Sequence, residues 1–385
     1  MRPLIDSKLP GVGTTIFTVM SRLAAEHGAI NLSQGFPDFE PPGQLVDLVD
    51  GHMRRGGANQ YAPMAGLPGL REAIAAKVAT YYGCSVDPES AVTVTSGGTE
   101  ALFCAVQALV GAGDEVIVLD PAYDSYEPAV TLAGGRTVHV PLRRPAFSPD
   151  WDRVRSALTS RTRLLILNFP HNPTGAVLEA DDLDTLAEVL RDSSACVLAD
   201  EVYEHMVYDG RRHHSLLTHP ELAERSLVVS SFGKTYHATG WKVGYCVAPA
   251  ALTAEFRKVH QFVQFAVATP LQAGIADFMA ACPEHARGLP AFYQAKRDRF
   301  VELLGATRLR LAPASSTYFQ LADYSAVSDL PDVEFARWLT TQRGVAAIPI
   351  SVFSAQPPAA ERIVRFCFAK HEATLVAAAL KLREL

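Results

Sequence analysis

RLLILNFPHNPTGAVLEADDLDTLAEVLRDSSACVLADEVY (163–203) decides the fold. An unbroken apolar run, RLLILNF (163–169), ends in a loop of turn-forming residues. LEADDLDTLAEVLRD (178–192) then repeats its apolar residues at helical spacing, and CVLADEVY (196–203) returns to an apolar run. Strand, helix and strand, with both strands apolar throughout, mean a parallel pair buried on both faces. The same unit recurs on either side. AVTVT (91–95), EVIVLD (115–120), TVHVPL (137–142) and SLVVSSF (226–232) read as further strands. Helical EALFCAVQALV (100–110) and a helical stretch from Tyr123 to about residue 133 lie among them. The pattern predicts an α/β fold on a largely parallel sheet, with its chemistry at the carboxyl ends of the strands.

After about residue 285 the texture changes. A helix-like stretch runs to about 304, followed by RLRLA (308–312), STYFQLADY (316–324) and helical VEFARWLTTQ (333–342). Strand-like GVAAIPI (344–350) and RIVRFCFA (362–369) precede a last helix. This predicts a smaller α+β domain over 286–385 beside a large domain over 46–285. The first forty residues hold few regular patterns and many Gly and Pro, so 1–45 is expected to join the smaller domain. A chain of 385 residues is long enough to bury two such cores.

The net charge of -6 favours neither nucleic acid nor an anionic membrane surface, which leaves a small-molecule substrate. No apolar run reaches the length of a membrane span. The first residues, MRPLIDSKLPGVGTTIF, lack an apolar stretch ending at a small-residue cleavage site, so a cytoplasmic location is expected. The six cysteines are scattered with no C-x-x-C pair, which predicts ordinary reduced thiols and no metal. His213 and His214, in DGRRHHS (209–215), read as a solvated loop.

The candidate chemical residues follow the strands. In SSFGKTYHATGWKVGY (230–245), Lys234 comes just after an apolar strand and has Gly, Thr and Tyr around it instead of other charges. A lysine held out of water there has a lowered pKa and can attack an aldehyde. Ser231 and Lys242 flank it and suit a phosphate. Asp200 in DEVY either caps a following helix or pairs with a cation; a protonated pyridine nitrogen is such a cation. Tyr203 can donate its hydroxyl to a ring oxygen. NFPHNPTG (168–175) is a tight loop, or one that puts the Asn172 amide on a ring hydroxyl or a substrate carboxylate. TSGGTEAL (95–102) is a strand-to-helix junction whose free N–H groups suit a phosphate. Tyr123, in DPAYDSY (120–126), is a core aromatic or a stacking partner for a flat ring. Taken together, these strand ends make a complete set for one cofactor, pyridoxal 5'-phosphate.

The whole chain resembles the class I/II aminotransferases, fold type I pyridoxal-phosphate enzymes. NLSQGFPDFEPP (31–42), NQYAPMAGLPGLREAIA (59–75) and SSFGKTYHATGWKVGYCVAP (230–249) look most like the bacterial methionine aminotransferases. They are also similar to the kynurenine aminotransferase and glutamine transaminase branch. The resemblance implies a large domain with a mainly parallel seven-stranded sheet and a smaller α+β domain. It also implies a ping-pong transfer of an amino group from methionine or an aromatic or large neutral amino acid to a 2-oxo acid. Lys234 would hold the cofactor as a Schiff base and move the proton. Asp200 would pair with the pyridine nitrogen, Tyr203 and Asn172 with the ring oxygen, and Gly98, Thr99, Ser231 and Lys242 with the phosphate. Tyr123 would stack on the ring. Tyr61 would reach the phosphate of a neighbouring subunit, making the enzyme a homodimer with a shared site. Arg365, in VRFCFAK (364–370), would fork the substrate carboxylate, with Gly35 close beside it. Phe265, in HQFVQFAVATP (260–270), would help form the partner's side-chain pocket. Many relatives carry Arg at the place of Lys242, so the phosphate here meets a point charge and not a fork. Relatives vary among Phe, Tyr and Trp at Tyr123.

Two other readings use related chemistry. A cysteine-conjugate or cystathionine β-lyase would share the fold and the lysine, and pyruvate and ammonia released without an acceptor would mark it. A cofactor-binding regulator would add a basic DNA-binding segment, which the chain lacks. A nicotinamide enzyme is disfavoured because no G-x-G-x-x-G follows a first strand.

Overall fold

The computed structural model describes residues 5–385; residues 1–4 of the N-terminal segment lie outside it. After β1 (Ile30–Asn31) come the strands of the main sheet. They are β2 (Val92–Thr95), β3 (Glu115–Asp120), β4 (Arg136–Pro141), β5 (Thr162–Asn168), β6 (Cys196–Asp200), β7 (Ser226–Ser231) and β8 (Gly244–Val247). Their order across the sheet is β2-β8-β7-β6-β5-β3-β4, and every pair from β7 to β4 is parallel. The opening stretch forms its unit as expected, with Leu164 opposite Cys196 and Asn168 opposite Asp200 across a helix at Ala180–Leu190. Alternate residues feed two different cores. Val116, Val118, Leu164, Ile166, Leu198 and Leu227 face one, while Ile117, Leu119, Leu165, Leu167, Val197 and Val228 face the other. Helices therefore cover both faces, which is why these strands read as continuous apolar runs.

The seventh strand, β8, has no counterpart in the apolar pattern. Only twelve residues separate Ser231 from Gly244, too few for a helical crossover, so the chain returns antiparallel to β7 and β2. Gly244 makes this return possible. A Cβ there would sit 2.7 Å from the Ser230 carbonyl oxygen and 2.9 Å from the carbonyl carbon of Gly97. The strand thus presses on the turn that starts the helix Gly97–Leu109.

Beyond this sheet, β9 (Phe319–Asp323), β11 (Ile348–Pro349) and β12 (Ile363–Cys367) form an antiparallel sheet with β12 in the centre, while β10 (Val345–Ala346) pairs parallel with β1. RLRLA makes a single bridge, Arg310 to Asp323. The N-terminal stretch is more regular than its Gly and Pro suggest. Thr15 caps a helix at Ile16–Glu26, accepting from the Thr18 N–H at 3.3 Å. No helix of the described residues is long and apolar enough to cross a membrane. The six cysteines are free thiols. His213 departs from the solvated-loop expectation: its ring is largely buried and Nε2 lies 2.8 Å from a Glu201 carboxylate oxygen.

Under the main sheet a buried carboxylate ties three elements together. Glu204 accepts from Lys77 and Tyr82 of the helix Pro68–Tyr82, from Ser230 of β7, and from Tyr245 of β8 at 3.1 Å. Burial alone would push this carboxyl up, but the Lys77 ammonium and the surrounding donors hold it well below the usual carboxylate range. Replacing Glu204 by alanine strands the Lys77 ammonium and is expected to cost about 3–5 kcal/mol at neutral pH in urea unfolding. A depressed folded pKa stabilises above the unfolded value, so the wild-type advantage should shrink as pH falls below about 4.3. A variant within 1 kcal/mol of wild type, at about neutral pH, would contradict the ion pair.

Candidate active site

Strands β2, β3, β5, β6 and β7 run in one direction, so the residues that follow them collect at one edge of the sheet. A cavity of about 260 Å³ opens there. Gly98, Thr99, Tyr123, Asn172, Asp200, Tyr203, Ser231, Lys234 and Lys242 line it from the main sheet. Gly35 and Arg365 line it from the opposite side, together with Phe17, Phe36 and Phe319.

Lys234 lies in a short helical turn, Phe232–Thr235, directly after β7. Its Nζ lies 5.6 and 5.7 Å from the ring centroids of Tyr203 and Tyr318, and donates to the Gly35 carbonyl at 3.4 Å. Burial pulls its pKa down to about 8; the Lys242 charge adds to this and Asp200 opposes it. An amine of this kind carries a far larger neutral fraction near physiological pH than an ordinary lysine, and that fraction can act as nucleophile or base.

Asp200 is the last residue of β6. Oδ2 accepts the Tyr126 hydroxyl at 2.6 Å, while Oδ1 is buried with no partner among the described residues. Burial raises its pKa to about 6, against the Tyr126 hydrogen bond. A buried acceptor oxygen without a donor is costly, so this one calls for a cationic N–H.

At the opposite end of the cavity, Gly97 adopts a φ of +76° that favours glycine, and a Cβ there would come within 3.3 Å of the Lys242 side chain. At Gly98 a Cβ would meet Val202 at 3.1 Å. The bare backbone leaves N–H groups at a helix start, and Lys242 Nζ lies 3.4 Å from the Thr99 hydroxyl. That is a site for an anion.

Arg365 occupies the middle of β12, almost fully buried. Nη1 donates to the Asn172 amide oxygen at 2.7 Å and Nη2 to the Ser33 carbonyl at 3.1 Å, while Nε has no partner among the described residues. The guanidinium lies 3.9 Å from the centre of the Phe319 ring, with Phe17 and Phe353 on other sides. Burial lowers its pKa to about 10, which still leaves it cationic at neutral pH. Its partners are neutral oxygens, so the buried charge is left to meet an incoming anion.

Tyr61 and Phe265 lie outside this cavity. Tyr61 is 84% exposed and Phe265 48%, and their rings meet edge to face at 5.4 Å. Several residues in or behind the cavity escaped the sequence reading. Tyr126 sits in the quoted DPAYDSY, and Asn168, whose amide donates to the Asp200 carbonyl at 2.9 Å, sits in NFPHNPTG. Their neighbours Tyr123 and Asn172 offered the same chemistry. Phe17 and Phe319 had no local signal, because distant chain segments bring them to Arg365.

Lys234, Lys242 and Arg365 are the cations of the cavity and Asp200 its one carboxylate, among the described residues. An occupant with more than one negative group and one cationic N–H matches them. Pyridoxal 5'-phosphate with an amino acid fits: an aldehyde for the amine, a ring nitrogen for the orphaned Oδ1, a phosphate for the glycine turn, and a carboxylate for Arg365.

Comparison with known proteins agrees. The family model of aminotransferase class I and II matches residues 27–381. Methionine aminotransferase of Escherichia coli (strain K12) is 54% identical over 384 residues, covering 100% of this chain and 99% of its own, and its crystal structure superposes with a TM-score of 0.96. The N-succinyldiaminopimelate aminotransferase structure from Mycobacterium tuberculosis is 40% identical, with a TM-score of 0.95 and 99% of both chains covered. Human kynurenine–oxoglutarate transaminase 1 is 36% identical over 410 residues, covering 98% of this chain and 97% of its own. Members of this family depend on pyridoxal 5'-phosphate, which is the cofactor here. The chain belongs to the class I and II aminotransferases.

Proposed function

We propose that the amino donor is methionine or an aromatic or other large neutral amino acid, and that a 2-oxo acid takes the amino group in a second half-reaction at the same site. The observation that carries this is the wall beside Arg365: Phe17, Phe36 and Phe319, with no additional cation to receive a side-chain carboxylate among the described residues. The names of the Escherichia coli and human relatives point the same way.

In this reading Lys234 holds the cofactor covalently, Asp200 keeps a proton at its ring nitrogen, and Tyr203 and Asn172 bond its ring oxygen. Tyr123 stacks on the ring, while Gly98, Thr99, Ser231 and Lys242 hold the phosphate. When bound, pyridoxal phosphate supplies an electron sink that weakens the substrate Cα–H bond and a carrier for the amino group. Arg365 forks the carboxylate of the donor and later that of the acceptor, with Gly35 allowing close approach, so one clamp serves both half-reactions. Lys234 Nζ, released by the incoming amine, takes the proton from Cα and returns it on the other side of the transfer. The aromatic wall keeps water from the reacting carbon.

The proposal extends to assembly. Residues 46–285 form the large domain, and 1–45 with 286–385 the small one. Two copies pair in the cytoplasm, with Tyr61 and Phe265 of each serving the other's site; their exposure and mutual packing support this.

A donor panel scored by 2-oxo acid formation tests the substrate class. Methionine and phenylalanine should exceed aspartate and glutamate by about tenfold or more in kcat/KM, since a buried unpaired carboxylate costs more than 1.4 kcal/mol. Aspartate or glutamate ahead of methionine would overturn the reading.

A further inference from the structure

We propose that Glu100 and His260 form a positioning pair that couples the phosphate-holding turn to the surface carrying Tyr61 and Phe265, so that cofactor binding and pairing with a second copy strengthen one another. The inference rests on the homodimer reading above and assigns the residues that transmit it.

Glu100 lies in the first turn of the helix Gly97–Leu109. Its Oε2 accepts the Ser96 N–H at 2.8 Å and so fixes the turn that bares the Gly97 and Gly98 backbone. Its Oε1 meets His260 Nδ1 and the Cys104 thiol, each at 2.9 Å. His260 has no exposed surface, and its Nε2 lies 3.0 Å from the Met64 carbonyl. Met64 stands three residues after Tyr61. The backbone carbonyl of His260 also accepts from Phe265 N–H at 3.1 Å. One residue therefore holds the phosphate turn by its Nδ1, the Tyr61 loop by its Nε2, and Phe265 by its carbonyl.

The region around it is fastened together. Thr269 Oγ1 donates to the Gln60 carbonyl at 2.5 Å, and the Gln272 side chain accepts from Leu67 N–H at 2.8 Å. Both ends of the Tyr61 loop are thus fastened to the helix Thr269–Ala281 that follows Phe265. Glu100, Cys104 and His260 offer ligand atoms within 4.8 Å of one another, a spacing that also suits a metal. Each of these atoms already has a hydrogen-bond partner, and Glu100 Oε2 is committed to the Ser96 amide, which favours the bridge. A shift of the phosphate turn is carried through Glu100 and His260 to Tyr61 and Phe265, and the reverse holds by thermodynamic reciprocity.

The test is the dimer dissociation constant by sedimentation, with and without saturating pyridoxal phosphate, for wild type, His260→Gln and Glu100→Gln. His260→Gln keeps a donor of similar reach but cannot bridge both oxygens, and Glu100→Gln guards against one variant failing to fold. Cofactor affinity is read in parallel by absorbance titration. Wild type should pair about fivefold or more tightly with cofactor; the direct reach of Tyr61 to the other copy's phosphate supplies part of that factor, and the variants should lose the rest, at least about twofold, while melting as cooperatively as wild type. General weakening would lower both affinities and leave their ratio intact, so the ratio is the readout. A variant ratio equal to wild type, or a wild-type dimer indifferent to cofactor, overturns the coupling while leaving the dimer standing. A wild type that stays monomeric at all concentrations overturns the dimer reading itself.

Discussion

Lys234→Ala should lose turnover by at least about 10²–10⁴-fold, the worth of a positioned proton carrier alone. The loss should be deeper in practice, because the covalent hold on the cofactor goes with it. No other group in the cavity can substitute. Burial raises the hydroxyl pKa of both Tyr203 and Tyr123, which keeps them protonated and unavailable as bases, and Arg365 stays cationic at neutral pH. Borohydride reduction followed by peptide mass analysis should place the cofactor on Lys234 in the wild type and nowhere in the variant. A small primary amine added to the variant should restore part of the proton transfer. The lysine also carries a pH signature. Its ammonium is held near 8 by burial, so the rate at which cofactor-free protein captures pyridoxal phosphate should rise with pH up to about 8 and then level. A capture rate still rising steeply between 9 and 11, about the range of an ordinary solvated lysine, would contradict the dry environment.

Arg365→Leu should lower kcat/KM by roughly 10²–10⁴-fold, since two charge-assisted hydrogen bonds at about 1.5–3 kcal/mol each disappear. Both half-reactions should suffer, because donor and acceptor present the same carboxylate. Arg365→Lys should also fall well short of wild type, as a point charge cannot reproduce the fork. Stability gives a separate readout. The buried guanidinium has neutral partners and one unsatisfied nitrogen, so replacing it with an apolar side chain should change unfolding by no more than about 1 kcal/mol. A variant that unfolds several kcal/mol more easily would mark Arg365 as a structural residue. An amine substrate with no carboxylate should react equally slowly with both proteins.

The parts of the molecule that could be read early are those where local chemistry and local structure coincide. A strand buried on both faces must be apolar along its length, so β3, β5, β6 and β7 stand out, and residues of odd chemistry at their ends mark the site. Strand β8 is only GYCV, and its direction is set by a short return past Gly244 that no apolar pattern records. The helix Ile16–Glu26 places Met20 and Ala24 inward at helical spacing, yet the Gly and Pro around it mask that spacing. His213 looked solvated among charged neighbours because its partner, Glu201, lies on a different segment. Arg365 is the sharpest case. RIVRFCFA shows an arginine in an apolar strand and nothing more; the carboxylate role proposed for it comes only from family resemblance. Its environment depends on the register Arg365 opposite Leu321, on Phe319, and on Phe17 from the far end of the chain.

Transamination at one site makes a demand that no lyase or binding protein meets. Mixing the cofactor-loaded protein with methionine, without any oxo acid, should release one equivalent of the corresponding 2-oxo acid per active site and then stop. The amino group should stay on the enzyme until a second oxo acid is added, whereupon a new amino acid appears in the same amount. Continued release of ammonia and oxo acid from methionine or a cysteine conjugate without an acceptor, or no oxo acid at all, would contradict the assignment.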